Sequence, residues 1–324
     1  AVSAHDVLQF ISPYRRKARL MRLAHLTDLH FAIETPPRAR DLLSKRLLGY
    51  LSWRRSRRFW HGAEALGAIF ADCRSARPDL AVITGDATNV ALASEFEAAA
   101  RGLSAAFTGD DAVFTPGNHD TFVASPWEGG LGRLAFLMRG ERIGEAGARE
   151  ATGPEDFPFV RRKRDVAVIL VNSAPTTAPG LATGRIGPDQ MERLRAELIE
   201  VGARGEARVL ALHHPVTAGA VSCRKALGDA PALRALIAET GVELILHGHM
   251  HHSHWAMIDT PAGPRPVVGG GSASHRAAHG DYRPARYNLF DITRSGAGWR
   301  IDVEVRELDP ASGRVETAGR RRLL

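Results

Sequence analysis

Cysteine is almost missing from this chain: two residues in 324, Cys73 and Cys223, neither in a Cys-x-x-Cys pair. A disulfide framework is thereby excluded, both are read as small buried apolar residues, and a reducing cytoplasm is the expected compartment. No apolar run approaches the roughly 18–20 residues that span a bilayer. The stretch "FISPYRRKARLMRL" has basic residues where a signal peptide needs an apolar core, so none is expected. Aromatics make up only 6% of the chain and concentrate at Tyr50, Trp53, Phe59 and Trp60, which argues against a nucleic-acid groove built on stacked bases. Acidic residues are outnumbered, leaving a net charge of +7, and the excess is localised. Residues 36–61 hold eight basic side chains (Arg38, Arg40, Lys45, Arg46, Arg54, Arg55, Arg57, Arg58) against Asp41 alone, an excess equal to that of the whole chain. Anionic partners are therefore expected: phosphorylated substrates, an anionic lipid surface or, disfavoured by the few aromatics, nucleic acid.

What is present is an alternating pattern. Residues 1–20 look unlike the rest and are set aside as an extension; 21–324 reads as a single domain with a basic helical insertion at about 36–62. Short β-prone runs recur at 23–27, 80–84, 112–115, 166–171, 209–212 and 244–246. Helical patterns lie between several of them, at 63–77, 95–106, 188–201 and 231–240. Pro188 and Pro231 stand where a first helical turn accepts proline. Strands alternating with helices predict an α/β core with buried sheet. After residue 255 short strands at 266–268, 287–292 and 300–305 predict a β-rich finish.

Potential metal ligands follow the strands. The first runs into "TDLH" (Asp28, His30), the second into "TGD" (Asp86), the third into "PGNHD" (Asn118, His119, Asp120). The fifth runs into "LHHP" (His213, His214) and the sixth into "HGHMHH" (His247, His249, His251, His252). Strand carboxyl ends form the ligand crevice of open α/β sheets. A mixture of carboxylate, imidazole and amide donors suits Mn, Fe, Zn or Co better than Ca or Mg. Two cations close together repel unless an anion bridges them, which a carboxylate can do. Singly each motif has a bland reading as a turn or a polar loop; five in this order do not.

The ordered set "TDLH … TGD … PGNHD … LHHP … GHMH" resembles the calcineurin-like metallophosphoesterase superfamily, and most closely its bacterial phosphodiesterases of cyclic-nucleotide and glycerophosphodiester type. The resemblance implies a two-sheet β-sandwich flanked by helices over roughly 21–306, with two divalent metal ions at the strand ends. By it, Asp28, His30 and His251 hold one metal, Asn118, His213 and His249 the other, and Asp86 bridges. It implies hydrolysis of a phosphoester, most of all a phosphodiester, by a metal-bridging hydroxide. His119 would protonate the leaving oxygen, with Asp120 holding its tautomer and raising its pKa. Mn or Fe is expected, with Zn or Co as alternatives. The Gly-Asp motif continues "ATNV" rather than "VDRG", which argues against a phosphoprotein substrate, and Asn89 stands where purple acid phosphatases have a tyrosine.

Other histidines read more plainly. His25 is expected buried and hydrogen-bonded, His214 and His247 behind the ligands, and His252 and His254 in a polar loop. "GGGSASH" (269–275) is a weak phosphate-loop candidate, and His214, His275 and Arg276 are candidate substrate contacts. The basic segment is read two ways: a structural lid over the site, or an element lying on an anionic membrane surface at its cytoplasmic side, with a phospholipid or lipid-linked pyrophosphate as substrate. A non-catalytic scaffold that keeps the fold is the reading from another class.

Overall fold

The computed structural model describes residues 20–324, so the extension read over 1–20 lies outside the described residues except for Leu20. The first half runs β1 (Met21–Leu26), α1 (Arg46–Ser52), α2 (Arg58–Trp60), α3 (Ala63–Ala76), β2 (Leu80–Ile83), α4 (Ala93–Ala106) and β3 (Ala112–Phe114). Then come β4 (Arg139–Gly140), β5 (Arg149–Glu150), β6 (Phe159–Lys163), β7 (Val166–Leu170), α5 (Pro188–Ala203), β8 (Ala207–Ala211), α6 (Ala230–Thr240) and β9 (Leu244–His247). The chain finishes with β10 (His254–Ile258), β11 (Arg265–Gly269), β12 (Arg286–Ser295), β13 (Gly298–Leu308) and β14 (Val315–Arg322).

Two six-stranded mixed sheets result. One has the order β14-β13-β12-β1-β2-β3, the other β10-β11-β9-β8-β7-β6. In the first, β1, β2 and β3 are parallel; in the second, β7, β8, β9 and β11 are. The strand β7, "VAVIL", is apolar at every position because both its faces are covered. Val166, Val168 and Leu170 enter a core shared with Leu23, Leu26 and Val303 of the first sheet. Ala167 and Ile169 point the other way, into a second core with Leu194 and Leu198 of α5 and Leu233 and Ile237 of α6. On the first sheet's side, Leu66, Ile69 and Phe70 of α3 and Phe96, Ala99 and Leu103 of α4 supply the covering stripes. Two sheets between helices are the expected α/β sandwich. Pro188 and Pro231 stand in the first turns of α5 and α6.

This topology opens the carboxyl ends of β1, β2, β3, β8 and β9 at one edge, and cross-links hold them there. Thr115 Oγ1 donates to the Val171 carbonyl at 2.7 Å, and Gly248 N donates to the His213 carbonyl at 3.0 Å. His25 is buried, its Nε2 2.8 Å from Thr84 Oγ1. Strands β4, β5, β6, β10 and β14 were not expected: the first two are two residues long, and the others carry no clear alternation. Cys73 is buried as read, but Cys223 is exposed, because its loop precedes α6 at the surface. Helix α1, a π-type turn at Trp53–Arg57 and α2 run on as one helical stretch. No helix among the described residues is long and apolar enough to cross a membrane.

Candidate functional site

The loops leaving the five strands adopt a backbone that side chains ordinarily avoid. Asp28, His30, Asp86, His249 and His251 have φ of 53°, 43°, 57°, 72° and 59°, five of the eight non-glycine residues in the left-handed region among those described. Each such conformation costs roughly 1–3 kcal/mol and persists only where the surroundings over-determine it. Here Asp28 N donates to the Gly85 carbonyl at 3.0 Å, His30 N to the Asp86 carbonyl at 2.9 Å, and His249 N to Asp28 Oδ2 at 3.1 Å. Two glycines let the second and third loops touch: a Cβ on Gly117 would lie 2.2 Å from Asp86 Oδ1, and Gly85, at φ 88°, faces Gly117 N.

Seven donors converge in two sets. In the first, His251 Nε2 lies 3.3 Å from both Asp28 Oδ1 and His30 Nε2. In the second, Asn118 Oδ1 is 3.1 Å from His213 Nε2 and 2.7 Å from His249 Nδ1. Asp86 Oδ2 stands between, 3.4 Å from His213 Nε2 and 3.9 Å from His30 Nε2. Asp28 Oδ1, Asp86 Oδ2 and His249 Nε2 are buried without a hydrogen-bond partner. Unpaired buried carboxylate oxygens are costly, and imidazole nitrogens facing each other at 3.3 Å cannot both donate. A cation between them satisfies both conditions, so the donor set fits a pair of divalent metals. The ligand atoms of Asp28, His30, Asp86 and His251 all lie within 4.8 Å of one another.

Electrostatics follow from burial. Burial, then the charge of Asp86, pushes the Asp28 carboxyl up to about 7. Burial opposes ionisation of Asp86 as well, but His213, His119 and His30 hold it well below the usual carboxylate range. His213 is its counterpart: against the cost of burial, Asp86 and Asp28 raise it to about 9. Burial and neighbouring imidazoles push His30, His249 and His251 well down, leaving them neutral as metal ligands must be.

Around this centre several expectations need correction. Asp120 does not touch the His119 ring. Its carboxylate instead accepts from Asp86 N at 2.8 Å, Thr88 N at 2.9 Å and Gly117 N at 2.9 Å, fastening the second loop to the third. The His119 Nδ1–H donates to the Asn89 carbonyl at 2.6 Å, so a backbone oxygen sets its tautomer. Nor is its pKa raised: burial takes it down to about 4, Asp86 opposing and Arg57 assisting. Of the candidate substrate contacts, none lines the cleft over the donors. His214 is fully buried, Nδ1 2.9 Å from Ser173 Oγ. His275 Nε2 lies behind His251, 3.4 Å from its Nδ1, and Arg276 Nε donates to the His61 carbonyl. The Gly/Ser loop is no phosphate cradle, since Ser272 Oγ and Ser274 Oγ donate to the Asp28 carbonyl and hold that turn.

A cleft of about 400 Å³ opens over the donors, lined by Asp86, Asn118, His119, His249 and His251 together with Arg57, Trp60, Lys225 and Tyr282. Arg57 escaped the sequence reading as one basic residue among eight. The π-type turn carries it inward, where Nη2 donates to the Gly49 carbonyl and Nη1 lies against the His119 ring, 3.1 Å from Nδ1 and 3.2 Å from Nε2. His61, also missed, is buried with Nδ1 2.7 Å from Ser274 Oγ and Nε2 unpartnered. Its ring donor lies within 4.8 Å of those of His30 and His251, so it could add a ligand to the first set. No motif flags it; only the helical stretch ending at Trp60 brings it there.

A family model described as calcineurin-like phosphoesterase matches residues 21–253. No curated protein matches the chain in sequence. Among solved structures, a dimetal phosphatase from Danio rerio aligns with a TM-score of 0.56 at 13% identity, covering 92% of this chain and 98% of that one. A sulfate thiohydrolase from Thermus thermophilus aligns at 0.42 and 16% identity, covering 94% of this chain and 56% of its own. A metallophosphoesterase from Sphaerobacter thermophilus aligns at 0.37 and 13% identity, covering 89% of each. At such identities the first of these shows the fold alone.

Asp120→Asn tests the reassigned carboxylate. Turning one acceptor oxygen into an NH₂ that faces backbone donors should cost about 1–3 kcal/mol in urea unfolding and weaken metal retention. The pH profile attributable to His119 should stay in place. Native stability and metal content with a shifted profile would instead return Asp120 to the imidazole.

Proposed function

Because the chain belongs to the calcineurin-like phosphoesterase family, whose members hydrolyse phosphoesters at a metal centre, we propose that it is a phosphodiesterase. The observation that carries the proposal is the cleft itself. It sets the two donor groups beside one guanidinium and one imidazole, and extends past them to Trp60 and Tyr282 on one side and Ser222 and Lys225 on the other. Such a cleft leaves room for an ester group on each side of the phosphorus.

Asp28, His30 and His251 would hold one divalent cation and Asn118, His213 and His249 the other, with Asp86 shared. When bound, the cations, Mn²⁺ or Fe²⁺ by preference and Zn²⁺ or Co²⁺ as alternatives, supply positive charge for the phosphoryl oxygens and an acidified water as nucleophile. The protein's own groups do the rest. Arg57 offers a charge-assisted donor to a non-bridging phosphoryl oxygen. His119 is neutral in the free site, its low pKa set by burial and by Arg57. An anionic phosphodiester entering beside Arg57 compensates that guanidinium and raises the affinity of His119 Nε2 for a proton, which it takes from solvent in the cleft. Nε2 then hands this proton to the leaving oxygen, while Nδ1 stays on the Asn89 carbonyl. A scaffold reading has no observation in its favour, since every donor and the imidazole are kept.

Metal-loaded enzyme should turn over bis(p-nitrophenyl) phosphate with kcat/KM at least about ten-fold above p-nitrophenyl phosphate. A preference for the monoester, or turnover of neither, would overturn the proposal.

His119→Ala should retain wild-type metal content yet lose roughly 10²–10⁴ in kcat on a diester with an alkoxide leaving group. The loss should be much smaller with nitrophenolate, which needs no proton. Equal losses on both substrates would contradict proton donation by His119.

A further inference from the structure

We infer that the outward face of the helical stretch Arg46 to Trp60 docks the protein onto an anionic phospholipid bilayer. The stretch has two unlike sides. Inward, Gly49 packs on Phe122 and Val90, Tyr50 and Trp53 join the small core of Ile33, Val90 and Leu92, and Arg57 reaches His119. Outward, at helical spacing, stand Leu47, Leu48, Leu51, Arg54, Arg55, Arg58 and Phe59, all exposed. Of the ten large apolar side chains left exposed among the described residues, five fall between Leu43 and Phe59, and Leu43, Leu48 and Phe59 are 84%, 64% and 60% exposed. The other five are dispersed along the chain, so this patch is the concentration that calls for an occupant.

The mixture on that face selects the occupant. A polyanion such as duplex DNA would engage the arginines and leave the leucines in water. An apolar protein groove would cover the leucines and strand Arg54, Arg55 and Arg58. A bilayer interface takes both: apolar side chains enter the acyl boundary while arginine stems lie along it and their heads reach lipid phosphates. The charge is uncontested, since Asp41 is the segment's sole acid and its carboxylate already accepts from Arg38 N. Arg57 and Trp60 of the same stretch line the cleft, so docking brings the cleft mouth to the headgroup layer. That last consequence rests on the phosphodiesterase reading; the docking itself does not.

The test is co-sedimentation of the full chain, without added metal, with phosphatidylglycerol and with phosphatidylcholine vesicles at low and high salt. The native chain should bind the anionic vesicles at low salt, lose them at high salt, and ignore the neutral ones. Arg54→Gln/Arg55→Gln/Arg58→Gln should weaken binding by about ten-fold or more, and Leu48→Ser/Leu51→Ser should also abolish pelleting. Both variants alter exposed side chains only and should keep native circular dichroism and native activity on bis(p-nitrophenyl) phosphate. No binding to anionic vesicles at low salt would overturn the inference. So would binding that survives the leucine changes and is equally strong with duplex DNA, or a solution dimer lost in the leucine variant without any vesicle binding. A chain that binds vesicles but hydrolyses nothing would sink the proposed function and leave the docking face standing.

Discussion

A carboxylate buried between two sets of imidazoles organises this molecule's working edge. Asp86 stands 3.4 Å from His213 and 3.9 Å from His30, and one of its oxygens has no hydrogen-bond donor of its own. Burial alone would protonate it; His213, the one neighbouring imidazole whose pKa is raised, keeps it charged. A lone charge in that position is tolerable only if positive charge is supplied, from a protonated His213 in the metal-free chain or from cations. The left-handed backbone at Asp28, His30, His249 and His251 is the mechanical side of the same constraint, because it turns donors from separate loops onto one centre. The two sheets exist, functionally, to fasten those turns. Parallel register puts the ends of β1, β2 and β3 side by side, and Asp120, Thr115 and Ser272 tie the loops together.

Much of the architecture was legible in the sequence for a physical reason. Strands covered on both faces, such as "VAVIL" and "LAVI", are continuous apolar runs, and ligands at their ends break those runs abruptly. The donors that the structure brings together therefore stood out one strand at a time. What was not legible depends on contacts between loops distant in sequence. Asp120 follows His119 directly, yet the turn sends its carboxylate to Asp86 and Thr88 and leaves the imidazole to a backbone carbonyl. His275 and Ser274 sit in a glycine-rich stretch that looks built for phosphate, yet they brace His251 and the Asp28 turn. Arg57 and His61 carry no motif at all; a π-type turn and a helix end decide where they point.

The basic helical stretch links the interior with the surface. One of its sides closes the cleft with Arg57 and Trp60, and the other presents leucines and arginines to the surroundings. A lid that served only to exclude water would have no reason to leave Leu47, Leu48, Leu51 and Phe59 uncovered on one side. The same helical stretch therefore carries both the outer face and the cleft-lining Arg57 and Trp60.

Two cations sharing Asp86 are what the rest of the site requires, and manganese loading of the full chain tests their presence most directly. Metal counting with electron paramagnetic resonance should find two Mn²⁺ per chain with a spin-coupled signal, and Asp86→Ala should lose that coupling and at least one ion. Saturation at one ion per chain, or two ions that show no coupling in the native protein, would contradict it.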